Sequence, residues 1–393
     1  MRTLSVPDEH LFGLHNLPYG VYSTADSAPR VAVRYGDHVI DLAVLLGDED
    51  TFARGSLNTF MAQGHDRWVA VREAITRALR SEVPDEAVHA LAEVTLHLPV
   101  EVADYVDFYA SEHHASNLGR LFRPDNPSPL MPNWKHLPVG YHGRASSIVV
   151  SGTDIVRPSG QRKGPQDEAP VFGPSTRLDI EAEVGFVVGT GNTMGDQIGV
   201  GQAEEHLFGV VLFNDWSARD IQAWEYVPLG PNLGKSFAST ISPWVVPMLA
   251  LEGARVDTPT QDPRPMEYLR GGPSAGLDID LEVSWNGQVV SRPPYREMYW
   301  SPAQMLAHLT VNGAPARTGD VFASGTVSGP AKEQRGAFIE LTWGGAEPVT
   351  VAGEERTFLQ DGDEVVLSAT APAPGGKRLG FGEARGTILP SRD

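Results

Sequence analysis

The chain has 393 residues, 41% hydrophobic and 21% charged, a balance that allows a large core and argues against disorder. Its formal charge of −19, with no long basic run, counts against nucleic acid and anionic membrane surfaces as partners; an anionic substrate would need a local cluster of cations. Cysteine is absent, which removes disulfides, thiolate nucleophiles and thiolate metal centres, so any metal must take oxygen or imidazole ligands, a set that suits Mg²⁺, Ca²⁺ or Mn²⁺.

Glycine (41) and proline (31) are plentiful, as in a β-rich chain with many turns. No apolar run approaches the ~20 residues of a membrane span, and "MRTLSVPDEH" does not read as a signal peptide, so a cytoplasmic location is expected. In chain order, "RVAVRYGDHVIDL" predicts a hairpin, with Val31, Val33 and Tyr35 alternating, Gly36-Asp37 turning and Val39 to Leu42 returning. Trp68, Val71, Ile75 and Leu79 recur at helical spacing, and a second short helix is expected over Glu86 to Val94. "LHLPV" then marks a boundary, giving domains 1–100 and 101–393.

Beyond it, "DYVDFYASEHHASNLGRLFRP" predicts a strand end and a helix stopping before Pro124. A strand is expected around Ser147 to Ser151, and "RPSGQRKGPQDEAPVFGPSTR" reads as loop. Leu178 to Val188 alternates as one strand, "HLFGVVLFND" is a buried strand, and "SARDIQAWEYV" is a short helix with Ser217 and Asp220 spaced as a capping box. Arg219, Gln222 and Tyr226 share a face of that helix. "LDIDLEVSWNGQVVS" is a hairpin turning at Asn286-Gly287, "SPAQMLAHLTV" is a helix capped by Ser301, and the remainder, including "AFIELTW", reads as strand after turn.

Three segments, carrying four carboxylates, break the buried-strand or plain-loop pattern. Asp107 lies among aromatics in "YVDFY", where an unpaired acid is costly. Glu181 and Glu183 share a face with Asp179 that becomes apolar at Gly185 and Val187. That face reads either as solvated carboxylates or as an inward pair stabilised by a cation. Asp215 ends the most apolar strand and reads equally as a helix cap or as a ligand. His113, His114 and His142 are the histidine candidates; the tandem pair points about 100° apart on a helix, so one of the two faces any given site. Arg123, Arg219 and Lys235 are the candidate cationic cluster, each also readable as surface charge.

"LPVGYHGRASSIVVSGT", "NDWSARDIQAWEYVPLGPNLGKSFASTISPWVVPM" and "DFYASEHHASN" resemble the fumarylacetoacetase family, and the likeness runs from "NLPYGVYS" to "GFGEARGTILP", nearly the whole chain. The resemblance implies a mainly β (α+β) fold, with a small SH3-like N-terminal barrel followed by a larger C-terminal mixed β-roll. It implies a homodimer that hydrolyses a dianionic diketo acid, 4-fumarylacetoacetate, to fumarate and acetoacetate, the last step of tyrosine and phenylalanine catabolism, with Mg²⁺ and/or Ca²⁺.

Carried over by position, the metal ligands would be Asp107, Glu181, Glu183 and Asp215, with a second cation site at Asp215, Lys235 and Ser239, a serine where the family has threonine. The implied catalytic groups are His114, Glu340, Arg219, Gln222 and Lys235. Tyr109, Arg123, Tyr141, Tyr226 and Thr326 would contact substrate. Under that resemblance the strand's odd face turns inward at Glu181 and Glu183, whereas Asp179 stays solvated. The rivals are a superfamily relative acting on an acylpyruvate or 2-keto acid, and a non-enzymatic cation- or carbohydrate-binding β-protein.

Overall fold

The computed structural model describes residues 1–164 and 166–392. The fold is mainly β with few helices, a smaller N-terminal domain leading into a larger C-terminal one. In the N-terminal part, strands Thr95–His97, Tyr19–Ser23, Arg30–Tyr35, His38–Asp41 and Val88–Ala90 pair antiparallel in that order. The first hairpin turns as expected, with Tyr35 opposite His38 and Gly36 at φ 61°. Its sheet continues into the rest of the chain through Trp244 opposite Gly20 and Val245 opposite Tyr19.

From there the order is Trp244–Pro247, Leu207–Asp215, Ala182–Val188, Val321–Ala323, Tyr105–Phe108 and Gly140–His142. A second sheet stacks Ile155–Val156, Lys377–Leu389, Glu364–Ala373, Asp280–Trp285 and Gln288–Ser291, its hairpin turning at Asn286-Gly287, both at positive φ. Helices His65–Leu79, Glu112–Phe122, Arg219–Glu225 and Pro302–Thr310 lie where their spacing predicted them.

Alternation along the two central strands explains the acidic face. Ala182, Val184, Phe186 and Val188, with Val210 and Leu212 of the neighbouring strand, pack into the larger core. The other face carries Val187, Val211 and Phe213, which pack with Trp68, Tyr19 and Phe60 of the N-terminal domain. One face of one strand is therefore apolar where that domain covers it and acidic where it does not.

Several local expectations are corrected. Glu86 to Val94 is two 3₁₀ turns flanking strand Val88–Ala90, because the open edge at His38–Ile40 pairs with that backbone and outweighs helix propensity. The stretch read as loop holds a hairpin, Ser159–Arg162 against Val171–Pro174; Pro165 within it lies outside the described residues. Gly160 lets that hairpin lie close against helix Arg219–Glu225, since a Cβ there would meet Ile221 Cδ1 at 2.9 Å.

The expected strand Leu178 to Val188 breaks at Ile180 and Glu181. Leu178–Asp179 pairs with Ser217–Ala218, and the Ile180 N–H is taken by Asp179 Oδ1 at 2.8 Å rather than by a neighbouring strand. The Ser217–Asp220 capping box does not form: Ser217 donates to the Asp215 carbonyl, and the Asp220 carboxylate accepts from Ser175 and Thr176. "FIELTW" is not a strand either. Phe338–Leu341 is a helical turn whose first N–H groups point at Asp179.

Candidate active site

Three strands of the central sheet deliver the carboxylates. Asp107 lies on Tyr105–Phe108, Glu183 on Ala182–Val188, and Asp215 is the last residue of Leu207–Asp215, not a helix cap. Glu181 sits at the strand break, its carbonyl accepting the Asp215 N–H at 3.1 Å. One oxygen from each of the four lies within 4.8 Å of the others, and all four residues are buried.

Two buried oxygens, Asp107 Oδ1 and Glu183 Oε1, have no hydrogen-bond partner. Burial and then the neighbouring carboxylates push Asp107 and Glu183 well above the usual range; burial also raises Asp215, only partly opposed by Lys235. Glu181 is held far below its ordinary value: burial opposes this, but Lys235, Arg219 and His114 outweigh it. Unpartnered oxygens inside a like-charged, all-oxygen donor set are what a hard divalent cation satisfies, so the residues present fit such an ion.

The cations are built in. Lys235 Nζ bridges Glu181 Oε2 at 2.5 Å and Asp215 Oδ2 at 2.7 Å, and Ser239 Oγ donates to Asp215 Oδ1 at 3.0 Å. Arg219 binds Glu181 Oε1 through Nη1 at 2.7 Å and donates to Gln222 Oε1 at 3.2 Å. Its Nη2 is buried without a partner. Tyr141 O–H donates to Asp107 Oδ2 at 2.7 Å and Asp215 Oδ2 at 3.1 Å; burial and those carboxylates hold its phenol well above the normal range, so it stays a donor.

On helix Glu112–Phe122, capped by Ser111, the tandem histidines diverge as the geometry requires. His113 faces outward, 3.6 Å from Glu297, and His142 is exposed. His114 is buried, with Nδ1 2.6 Å from Glu340 Oε2, leaving Nε2 toward the carboxylates, 3.9 Å from Glu181. Glu340 also accepts from Ser328 Oγ at 2.9 Å and Asn117 Nδ2 at 2.9 Å. Its carboxyl lies below the ordinary value: burial alone would raise it, but His114 and these hydrogen bonds outweigh burial. With a carboxylate at Nδ1, the neutral ring carries its proton there and presents a bare Nε2 as an acceptor.

A cavity of about 450 Å³ opens onto this constellation, lined by Asp107, Tyr109, His114, Arg123, Tyr141, Glu181, Arg219, Gln222, Tyr226, Lys235 and Thr326. Glu183, Asp215, Ser239 and Glu340 stand behind that lining. Leu118, Phe122, Leu130, Met131, Trp134 and Leu229 make its outer wall. Inside, Arg123 Nε and Thr326 Oγ1 are buried and unpartnered, like Arg219 Nη2. Two guanidinium groups, Arg123 and Arg219, thus bring unpartnered nitrogens to the pocket, beside one free hydroxyl.

Residues 104–389 match the family pattern described as "Fumarylacetoacetate (FAA) hydrolase C-terminal", and residues 15–99 match "Fumarylacetoacetase N-terminal". The chain belongs to the fumarylacetoacetate hydrolase family. It is 48% identical over 414 residues to the fumarylacetoacetase of Caenorhabditis elegans, covering 99% of each chain. It is 46% identical over 417 residues to that of Homo sapiens, covering 100% of this chain and 99% of the other. A solved fumarylacetoacetate hydrolase from Exiguobacterium antarcticum shares the fold, with TM-score 0.57 and 19% identity over 96% of this chain and 100% of that one.

Four functional-looking residues were not among the site candidates read from the sequence. Asp179, expected to be solvated, is fully buried. Asn117 and Ser328 had no signal beyond their residue type. Glu225 accepts from the backbone N–H groups of Asn232, Leu233 and Gly234 and so orders the loop that carries Lys235.

Proposed function

We propose that the chain hydrolyses the C–C bond between the two acyl parts of 4-fumarylacetoacetate, giving fumarate and acetoacetate in the last step of tyrosine and phenylalanine catabolism. The observation that carries this reading is the buried His114–Glu340 pair, 2.6 Å apart, directed at a four-carboxylate cluster under a pocket of unpartnered cationic donors. A carboxylate cluster alone would serve a cation-binding protein, a reading that leaves the buried His114–Glu340 pair unexplained.

Asp107, Glu181, Glu183 and Asp215 would hold the cation, Mg²⁺ and/or Ca²⁺. When bound, it supplies Lewis acidity to the two oxygens of a 1,3-diketone. His114 Nε2 takes the proton of the attacking water as its oxygen bonds to the carbonyl carbon. Glu340 fixes the ring and stabilises the imidazolium that results. Arg219 Nη2, Gln222 and Lys235 Nζ donate to the alkoxide and, after the C–C bond breaks, to the enolate of the departing acetoacetate. The imidazolium then returns its proton to the enolate's α-carbon, the one released when the C–C bond breaks. Arg123, Tyr109, Tyr141, Tyr226 and Thr326 bind the substrate's carboxylates and hold the chain in the slot.

The same reading extends to a second cation site at Asp215, Lys235 and Ser239. An ammonium offers no lone pair, so Lys235 would contribute its backbone carbonyl there. It also extends to a homodimer in the cytoplasm, with domains 1–100 and 101–393; among the described residues no helix is long and apolar enough to cross a membrane. The test is loss of diketone absorbance by the metal-loaded protein with fumarylacetoacetate, against simple acylpyruvates, with and without chelator. Faster turnover of acylpyruvates would favour the superfamily rival, and no turnover of either would sink the enzymatic reading.

A further inference from the structure

We infer that Asp179 is a positioning residue, a single carboxylate that sets both halves of the catalytic apparatus. The inference rests on the reaction proposed above.

Asp179 is fully buried and accepts four hydrogen bonds. Oδ1 accepts from the N–H groups of Ile180 and Phe338, each at 2.8 Å. Oδ2 accepts from Ile339 N–H at 3.0 Å and Arg219 Nε at 2.8 Å. The partners belong to three separate segments. Ile180 is the point where the acidic strand breaks, and Arg219 opens helix Arg219–Glu225. Phe338 and Ile339 begin the turn that carries Glu340.

Each contact has a consequence at the pocket. Arg219 is gripped at Nε by Asp179 and at Nη1 by Glu181, which leaves Nη2 as its one unpartnered nitrogen. A guanidinium is planar, so fixing Nε and Nη1 fixes the direction of Nη2. The turn Phe338–Leu341 has no cap of its own, since its N-cap Ala337 makes no side-chain bond. Its first N–H groups end instead on Asp179, which fixes where Glu340 meets His114. The break at Ile180 displaces Glu181 from the ladder so that it can reach both Arg219 and Lys235. Among the described residues, no other carboxylate bonds to both the arginine and the turn that holds the histidine's partner.

A buried carboxylate is tolerated where a cation and several N–H groups satisfy it, and removing one partner of such a pair leaves the other's charge buried and uncompensated. Asp179 is itself neither a lining residue of the pocket nor a member of the four-carboxylate cluster, so it acts through Arg219, the Glu340 turn and the strand break beside Glu181.

The test compares wild type, Asp179→Asn and Asp179→Glu in the metal-loaded full chain. Asn keeps the shape but loses the charge opposite Arg219 and turns an NH2 donor toward two of the four N–H donors that Asp179 now satisfies; Glu keeps the charge but moves it by a methylene. Each should lower kcat by roughly 10²-fold, the scale of a 1 Å misplacement, with KM within about threefold and the thermal midpoint of a folded protein retained. Crystal structures of the variants should have Arg219 Nη2 or Glu340 displaced.

In an Arg219→Lys background, Asp179→Asn should cost clearly less than in wild type, because part of its effect has already been removed. Wild-type kcat in Asp179→Glu, or equal costs in both backgrounds, overturns the proposal. So does loss of folding in both variants, which would make Asp179 a structural residue. Inactivity of the wild type on fumarylacetoacetate would instead refute the function on which the proposal rests.

Discussion

Replacing Glu183 by Gln should separate what the carboxylate cluster costs the protein from what it gains with a cation. Glu183 is fully buried; Oε2 accepts the Gly325 N–H at 3.1 Å and Oε1 has no partner. Gln is nearly isosteric, keeps an acceptor for Gly325, and puts an amide donor where the orphan oxygen faced its acidic neighbours. Across 4.8 Å, two unit charges repel by roughly 3 kcal/mol at an effective dielectric of 20, before protonation relieves part of it.

The metal-free variant should therefore be at least as stable as the metal-free wild type. Cation should stabilise the variant less than it stabilises the wild type. A ~10²-fold loss of affinity removes about 2.7 kcal/mol of ligand-linked stability at saturating cation. At ~2.1 cal/mol/K per residue, that is about 3 °C in the thermal midpoint of a chain this size. The assay is scanning calorimetry in chelator and in excess Mg²⁺ or Ca²⁺, with elemental analysis of the loaded protein. Unchanged metal content together with a wild-type midpoint shift would refute the ligand assignment.

His114→Ala should lower kcat by roughly 10²–10⁴ without loss of fold, and near-normal kcat in the loaded variant would remove His114 as the base. Arg123→Met should raise KM roughly 10–100-fold through loss of a charge-assisted contact to a substrate carboxylate, with a smaller change in kcat; steady-state kinetics decide. Glu340 has a depressed folded-state carboxyl, so its contribution to stability is full above the ordinary glutamate value, about 4.3, and is lost as pH falls through the lower folded value. Glu340→Gln should accordingly flatten the acid limb of the stability profile, read by denaturant melts at stepped pH; an unchanged acid limb would exclude a depressed Glu340.

Local elements with a strong internal signal were legible in the chain. The helix of Trp68, Val71, Ile75 and Leu79, the Ser301 cap and the Asn286-Gly287 turn each depend on residues within a few positions of one another. The elements misread were those whose stability comes from elsewhere. Val88–Ala90 is a strand because a distant edge needs a partner, and Phe338–Leu341 is helical because a carboxylate 159 residues away receives its N–H groups.

The carboxylates divide the same way. Composition restricted any metal to oxygen or imidazole ligands, and periodicity marked Glu181 and Glu183 as anomalous. Family likeness then gave the candidate set, because a residue pattern of that length identifies a fold and its site together. What the sequence misplaced was Asp179, an acid on the same nominal strand face as Glu183 that was expected to be solvated and is buried. Tertiary structure decides the matter by breaking the strand at Ile180, so that one carboxylate faces the cation cluster and the other turns back to Arg219 and the Glu340 turn. Which way a buried acid points depends on where its compensating donors lie, and those donors are brought together only by the fold.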